Sequence, residues 1–192
     1  MKDNLIFIGM PASGKSTVGV VVAKRLGMNF VDTDLLIQQQ EGMALHEIIA
    51  QKGKTTFLEI ENQVNRDLQV HKTVISPGGS VIYCKEAMEH FKKIGTVVYL
   101  QASFGTIRKR IRSLAKRGVI LEEGQTFFTL YEERTKLLEH YADLTVFVDG
   151  RKMEQTIENV LFKVKRYWRY LRKKEAKQAQ KRAEKEKSLQ NC

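Results

Sequence analysis

Gly9-Met10-Pro11-Ala12-Ser13-Gly14-Lys15-Ser16 decides how this chain is read, because it matches G-x-x-x-x-G-K-[ST] and stands where that pattern belongs. The apolar run 5–9 reads as a buried strand leading into it. Residues 16–26, with Val18, Val21, Val22 and Leu26 at helical spacing, read as the helix that follows. Glycines let the backbone close around phosphate oxygens, while amides of the loop and of the first helical turn aim their donors at the same anion. The residues predicted to surround a nucleotide's phosphates are Gly9, Pro11, Ala12, Ser13, Gly14, Lys15, Ser16 and Thr17. Lys15 would reach the β- and γ-phosphates, and the Ser16 hydroxyl would ligate Mg2+. Asp32-Thr33-Asp34 follows the next predicted strand, 28–31. A carboxylate there, Asp32 or Asp34, would complete the Mg2+ environment. The same tripeptide also suits a helix cap.

Further strands are predicted at 73–76, 96–100 and 144–148. They alternate with helical stretches at 35–51 (one or two helices, broken near Gly42), 55–68, 86–93, 104–116, 127–141 and from 153 onward. That alternation predicts an α/β chain: a three-layer P-loop NTPase fold with a mostly parallel sheet flanked by helices. Ligands in such folds sit at the carboxyl ends of the strands, where Gly9, Asp32, Asp34 and Gly78 all fall. A guanine-reading Asn-Lys-x-Asp stretch is missing from the sequence, and large ATP-driven motors need more chain. A small kinase remains, using ATP and Mg2+ to phosphorylate a hydroxyl of a small metabolite.

The formal charge of +11 over 192 residues is unevenly placed. Residues 161–192 carry 12 Lys and Arg against 3 Glu, whereas residues 1–160 carry 21 against 19. The expected organisation is a kinase domain over 1–160 and a basic helical extension over 161–192. That extension reads either as a solvated helix or as a contact for RNA or an anionic surface, since aromatic residues stand beside the basic run. Cys84 and Cys192 lie far apart, no secretory leader is evident, and no apolar stretch has the length of a membrane span, so a cytoplasmic location is expected.

Over residues 4–150 the motifs resemble the shikimate kinase family. The likeness is carried by the phosphate loop, Phe30-Val31-Asp32-Thr33-Asp34, Phe57 with Glu61, Pro77-Gly78-Gly79, Val97-Val98-Tyr99-Leu100, and Arg134 followed by Ala142-Asp143. The resemblance implies a largely monomeric enzyme that transfers phosphate from MgATP to shikimate, beneath a mobile lid at about 112–124 with Gly118 and Gly124 as hinges. It implies that Asp32 holds a magnesium-bound water, that Asp34 meets the acceptor hydroxyls, and that Gly78 and Gly79 present backbone to the acceptor. Arg110 falls where the family stacks an arginine on adenine, Arg117 where the lid approaches the moving phosphoryl group, and Arg134 where the acceptor carboxylate is gripped. Guanidinium suits all three tasks. The cluster Arg108, Lys109, Arg110 and Arg112 also suits a solvated helix face.

The departures gather on the acceptor side. Leu58 stands where the family has a second carboxylate-clamping arginine, Ser80 replaces the last of three glycines, Gly118 replaces a proline after Arg117, and Lys136-Leu137-Leu138 replace proline, leucine and tyrosine. Loss of a bidentate donor at Leu58 removes a few kcal/mol from a buried carboxylate. A changed acceptor is one expectation: a different polyol, hydroxy acid or hydroxy amino acid. Supply of the missing charge by Lys54 or Arg66 is the other. An ATP-dependent binding protein without turnover is the alternative from a different class.

Overall fold

The computed structural model describes residues 2–111, 119, 121 and 124–190, with side chains of the final helix described as far as Arg182. Five strands, β1 (Asn4–Ile8), β2 (Asn29–Asp32), β3 (Thr73–Ser76), β4 (Gly95–Gln101) and β5 (Leu144–Phe147), form one sheet in the order β2-β3-β1-β4-β5. Every pairing is parallel. β1 and β3 are wholly buried, in keeping with the lack of polar alternation in Leu5-Ile6-Phe7-Ile8 and Val74-Ile75.

The helices are α1 (Lys15–Leu26), α2 (Thr33–Glu41), α3 (Leu45–Arg66), α4 (Lys85–Ile94), α5 (Phe104–Arg110), α6 (Phe127–Tyr141) and α7 (Met153–Gln190). Right-handed crossovers assign the layers. The connection β1-α1-β2 runs one way along the sheet, while β2-β3 through α2 and α3, β3-β4 through α4, and β4-β5 through α6 run the other way. α1 therefore covers one face, where α7 packs against it, and α3 and α4 pack together on the opposite face. This is the expected three-layer α/β fold.

The core is built by Leu5, Ile6, Phe7, Ile8, Val97, Val98 and Tyr99 of the central strands with Val18, Val22, Met88 and Phe91 of the helices. α7 contributes Ile157, Val160, Leu161 and Val164 to it. It is further pinned where Trp168 Nε1 donates to Thr96 Oγ1 at 2.9 Å.

The break expected near Gly42 is present, and the stretches expected at 35–51 and 55–68 are set apart by a kink. α2 ends at Gly42, and α3 runs through to Arg66 with one non-helical residue, Gly53, at φ 82° and ψ 166°. On α3 the buried row is Phe57, Glu61 and Asn65. These stand at steps of four and share a face. Leu58 is one residue, about 100°, round the helix from that row.

Candidate active site

β1 ends at Ile8 and α1 begins at Lys15, so the loop between them lies at the carboxyl edge of the sheet. Gly14 caps α1 at φ 102°, a conformation open to glycine, and Ala12 holds φ 63° beside it. The turn is closed by Ser13 N donating to Met10 O at 3.1 Å. Lys15 is almost wholly buried, and its Nζ donates to Gly9 O at 3.1 Å and Met10 O at 3.4 Å. Burial lowers its pKa, and the Asp34 and Asp32 carboxylates oppose that shift.

The two oxygens of Asp32 do separate work. Oδ1 accepts from Asp34 N at 3.1 Å and so caps α2, while Oδ2 accepts from Ser16 Oγ at 2.7 Å. The cap expected from sequence is therefore made by Oδ1 alone and leaves Oδ2 to the Ser16 hydroxyl. Ser76 Oγ lies 3.2 Å from Ser16 Oγ. Ser76 was not picked out from sequence, yet the pairing of Asp32 with Ser76 across β2 and β3 puts both at the same sheet edge. Among the described residues no three His, Cys, Asp or Glu side chains converge as a metal cage. A hydroxyl beside a carboxylate fits instead an ion whose remaining ligands are phosphate oxygens and water, the usual habit of Mg2+.

Two adjoining clefts open here. The larger, of about 360 Å³, is lined by Pro11, Ala12, Gly14, Lys15, Ser16, Thr17, Asp34, Pro77, Gly79 and Arg110. Arg110 is held against the loop by Nη1 donating to Ala12 O at 3.4 Å. The smaller is walled by Leu45, Phe57, Gly78, Ser80, Val119 and Arg134, and it shares Pro11, Asp34 and Gly79 with the larger. Asp34 thus faces both spaces. Burial lifts its pKa to about 6, with Lys15 pulling it down and Asp32 pushing it up.

Gly78 lets two carboxylates approach the backbone closely: a Cβ there would collide with Glu61 Oε1 and lie 2.7 Å from Asp34 Oδ1, so both side chains would have to shift. Glu61 is fully buried, and neither of its carboxyl oxygens has a hydrogen-bond partner among the described residues. Burial pushes its pKa up to about 8. Ser80, close enough to favour the charged form, and Arg134 and Lys15 act against that rise, while Asp34 adds to it.

Arg134, on α6, is 5% exposed. Its guanidinium stands 5.4 Å from the centre of the Tyr83 ring, and its Nε donates to Tyr83 Oη at 3.4 Å. Sequence reading missed Tyr83, since a lone aromatic after a turn carries no signal of its own.

Leu58 does not line either cleft. It borders a separate shallow depression with Lys54, Tyr83 and Cys84. Arg66 is exposed, is paired with Asp67 and Glu86, and lines neither cleft. Arg117 and Gly118, with most of the expected lid, lie outside the described residues.

Comparison with known proteins bears on this geometry. The family model described as shikimate kinase matches residues 11–165. The chain belongs to the shikimate kinase family. A shikimate kinase of Sulfurihydrogenibium sp. (strain YO3AOP1) is 35% identical over 164 residues, covering 85% of this chain and 98% of that protein. Among solved structures, shikimate kinase from Acinetobacter baumannii in complex with shikimate superposes with a TM-score of 0.78 at 25% identity, covering 84% of this chain and 92% of that one. Shikimate kinase from Aquifex aeolicus gives 0.71 at 30% identity, over 84% and 96%. The activity of this shikimate kinase family member is ATP-dependent phosphotransfer to a hydroxyl of a small metabolite. Among the described residues no helix is long and apolar enough to cross a membrane.

Proposed function

We propose that the chain phosphorylates a small polyhydroxylated carboxylate, with shikimate as the first candidate, using MgATP. The observation that carries this reading is Arg134: a buried guanidinium beside Gly79, with no carboxylate paired to it among the described residues. A buried cation without an anion is costly, and an incoming carboxylate relieves that cost.

ATP would lie in the larger cleft, its phosphates wrapped by residues 9–17 and its adenine toward Arg110. Lys15, now folded back on Gly9 and Met10 carbonyls, would turn to the phosphates. Ser16 and Asp32 would hold Mg2+, which supplies charge neutralisation at the phosphates. Asp34, shared by both clefts, would accept a hydrogen bond from the attacking hydroxyl and take its proton. Gly78 and Gly79 would let the acceptor approach backbone, and Arg117 would close over the phosphoryl group. The kinase domain is read as residues 1–160 and the chain as a monomer, with residues 161–192 offering a separate basic surface.

The small cleft favours a second reading, in which the acceptor has a weaker or different anionic group, because among the described residues Arg134 is the one guanidinium that borders it. ADP release from MgATP over shikimate, quinate, gluconate, homoserine and simple polyols separates the two, with Lys15→Ala as control. Saturable turnover with shikimate, abolished in Lys15→Ala, supports the first reading. Silence with shikimate and turnover with another compound supports the second, and silence throughout overturns both.

A further inference from the structure

We propose that the outward face of α7 is a docking surface for a single-stranded polynucleotide. The inward face of this helix is committed to the core through Ile157, Val160, Leu161 and Val164, and then to Thr96 through Trp168. Opposite it run two neighbouring rows of residues at steps of four, which on a helix share a side. One row reads Phe162, Arg166, Tyr170, Lys174; the other reads Lys165, Arg169, Lys173, Lys177, Lys181. All nine are exposed.

Two observations separate this face from an ordinary solvated one. Phe162 is 64% exposed and Tyr170 58%, large apolar surfaces with no part in the packing, and Arg166 stands between them. The cations of both rows have no acidic partner among the described residues, although surface helices usually intersperse Glu at i±4 to pair them. A rise of 1.5 Å per residue spaces each row's members about 6 Å apart, comparable to the separation of successive phosphates along a nucleic-acid strand. Flat exposed rings between such cations offer stacking platforms for unpaired bases.

The observations favour a polynucleotide over a lipid bilayer. Beyond Tyr170 the two rows contain no apolar side chain that could enter acyl chains, and the helix's apolar stripe already lies against the protein. The family model stops at residue 165, and the relatives named above are matched over 92–98% of their lengths. Most of this face is therefore additional to the part of the chain that those kinases share.

The test is fluorescence anisotropy of the intact chain with labelled RNA and DNA single strands of one mixed sequence, about 20 nucleotides long, titrated with salt. Neutralising about five phosphates predicts a slope of log K on log salt near −3.5. Arg166→Gln with Arg169→Gln, Lys173→Gln and Lys177→Gln should cut that slope by about 3 and the affinity tenfold or more. Its melting temperature and ATP turnover should be unchanged, because none of these residues touches the active site. Phe162→Ala with Tyr170→Ala should weaken binding about fivefold or more at constant slope. A preference for RNA over DNA, or the reverse, tells which strand is the natural partner. No binding by the intact chain at low salt, undiminished binding by the fourfold variant, or tighter binding to anionic phospholipid vesicles than to either strand would overturn the proposal.

Discussion

Glu61→Gln should make the protein more stable at neutral pH, and the gain should grow as pH rises. Glu61 is fully buried, its carboxyl oxygens lack hydrogen-bond partners among the described residues, and burial holds its pKa near 8 against a usual 4.5. The folded protein therefore binds a proton that the unfolded chain has released anywhere between those two values. With more protons bound in the native state, stability falls as pH rises through that window and levels off above about 8. Each pH unit inside it costs about 1.4 kcal/mol, so wild type should lose about 3 kcal/mol between roughly pH 5 and 7.5 on this account. Glutamine has the same shape and no proton to lose, so its variant should lack that part of the slope and keep the smaller contribution of Asp34 at lower pH. Urea unfolding at a series of pH values measures both curves. Parallel curves for the two proteins would refute the reasoning and mean that Glu61 is ionised in the folded state, with Arg134 or Lys15 compensating it.

Three other outcomes are expected. If Asp34, lifted to about 6 by burial, is the base proposed above, it works only when ionised, so kcat/KM for the acceptor should fall tenfold per unit below about pH 6; a flat profile down to pH 5 would remove it from that role. Tyr83→Phe removes the phenol that accepts from Arg134 Nε at 3.4 Å while keeping the ring under the guanidinium. It should raise the acceptor KM about fivefold, with kcat and the KM for ATP little changed, in steady-state assays. Trp168→Phe leaves Thr96 Oγ1 buried without its donor and should lower unfolding free energy by about 1–2 kcal/mol in urea, with turnover unaffected.

The sheet and the phosphate loop were legible because their signals are local. An apolar strand, a glycine-bounded loop and a helix sit within about two dozen residues, and the parallel order follows from alternation and handedness. The same logic of strand ends put Asp32 and Asp34 at the carboxyl end of β2, where the structure has them. What could not be read depends on which face of an element a residue takes. Phe57, Ile60, Val64 and Leu68 have the spacing of one apolar face, and Ile60 and Val64 do pack in the cluster of Phe57, but the most deeply buried row continues from Phe57 to the polar Glu61 and Asn65. That choice turns Leu58 away from the small cleft. Tyr83 acquires its place only because α6 lays Arg134 across the short 3-10 turn Val81–Tyr83, a contact between segments fifty-one positions apart. The extent of α7 was foreseen from its helix-forming composition, whereas the division of its surface into a buried side and an outward side needed the packing of the core.

Pro11, Asp34 and Gly79 border both clefts, and this common wall limits how such a protein can diversify. A substitution at any of the three alters both clefts together, so under the proposed assignment a change made for a new acceptor would be felt by the nucleotide as well. The freedom to explore new substrates is left to the far wall, at Leu45, Phe57, Ser80 and Val119, and to Tyr83 behind Arg134. Libraries aimed at redirecting this scaffold should vary those positions in combination and hold the common wall fixed.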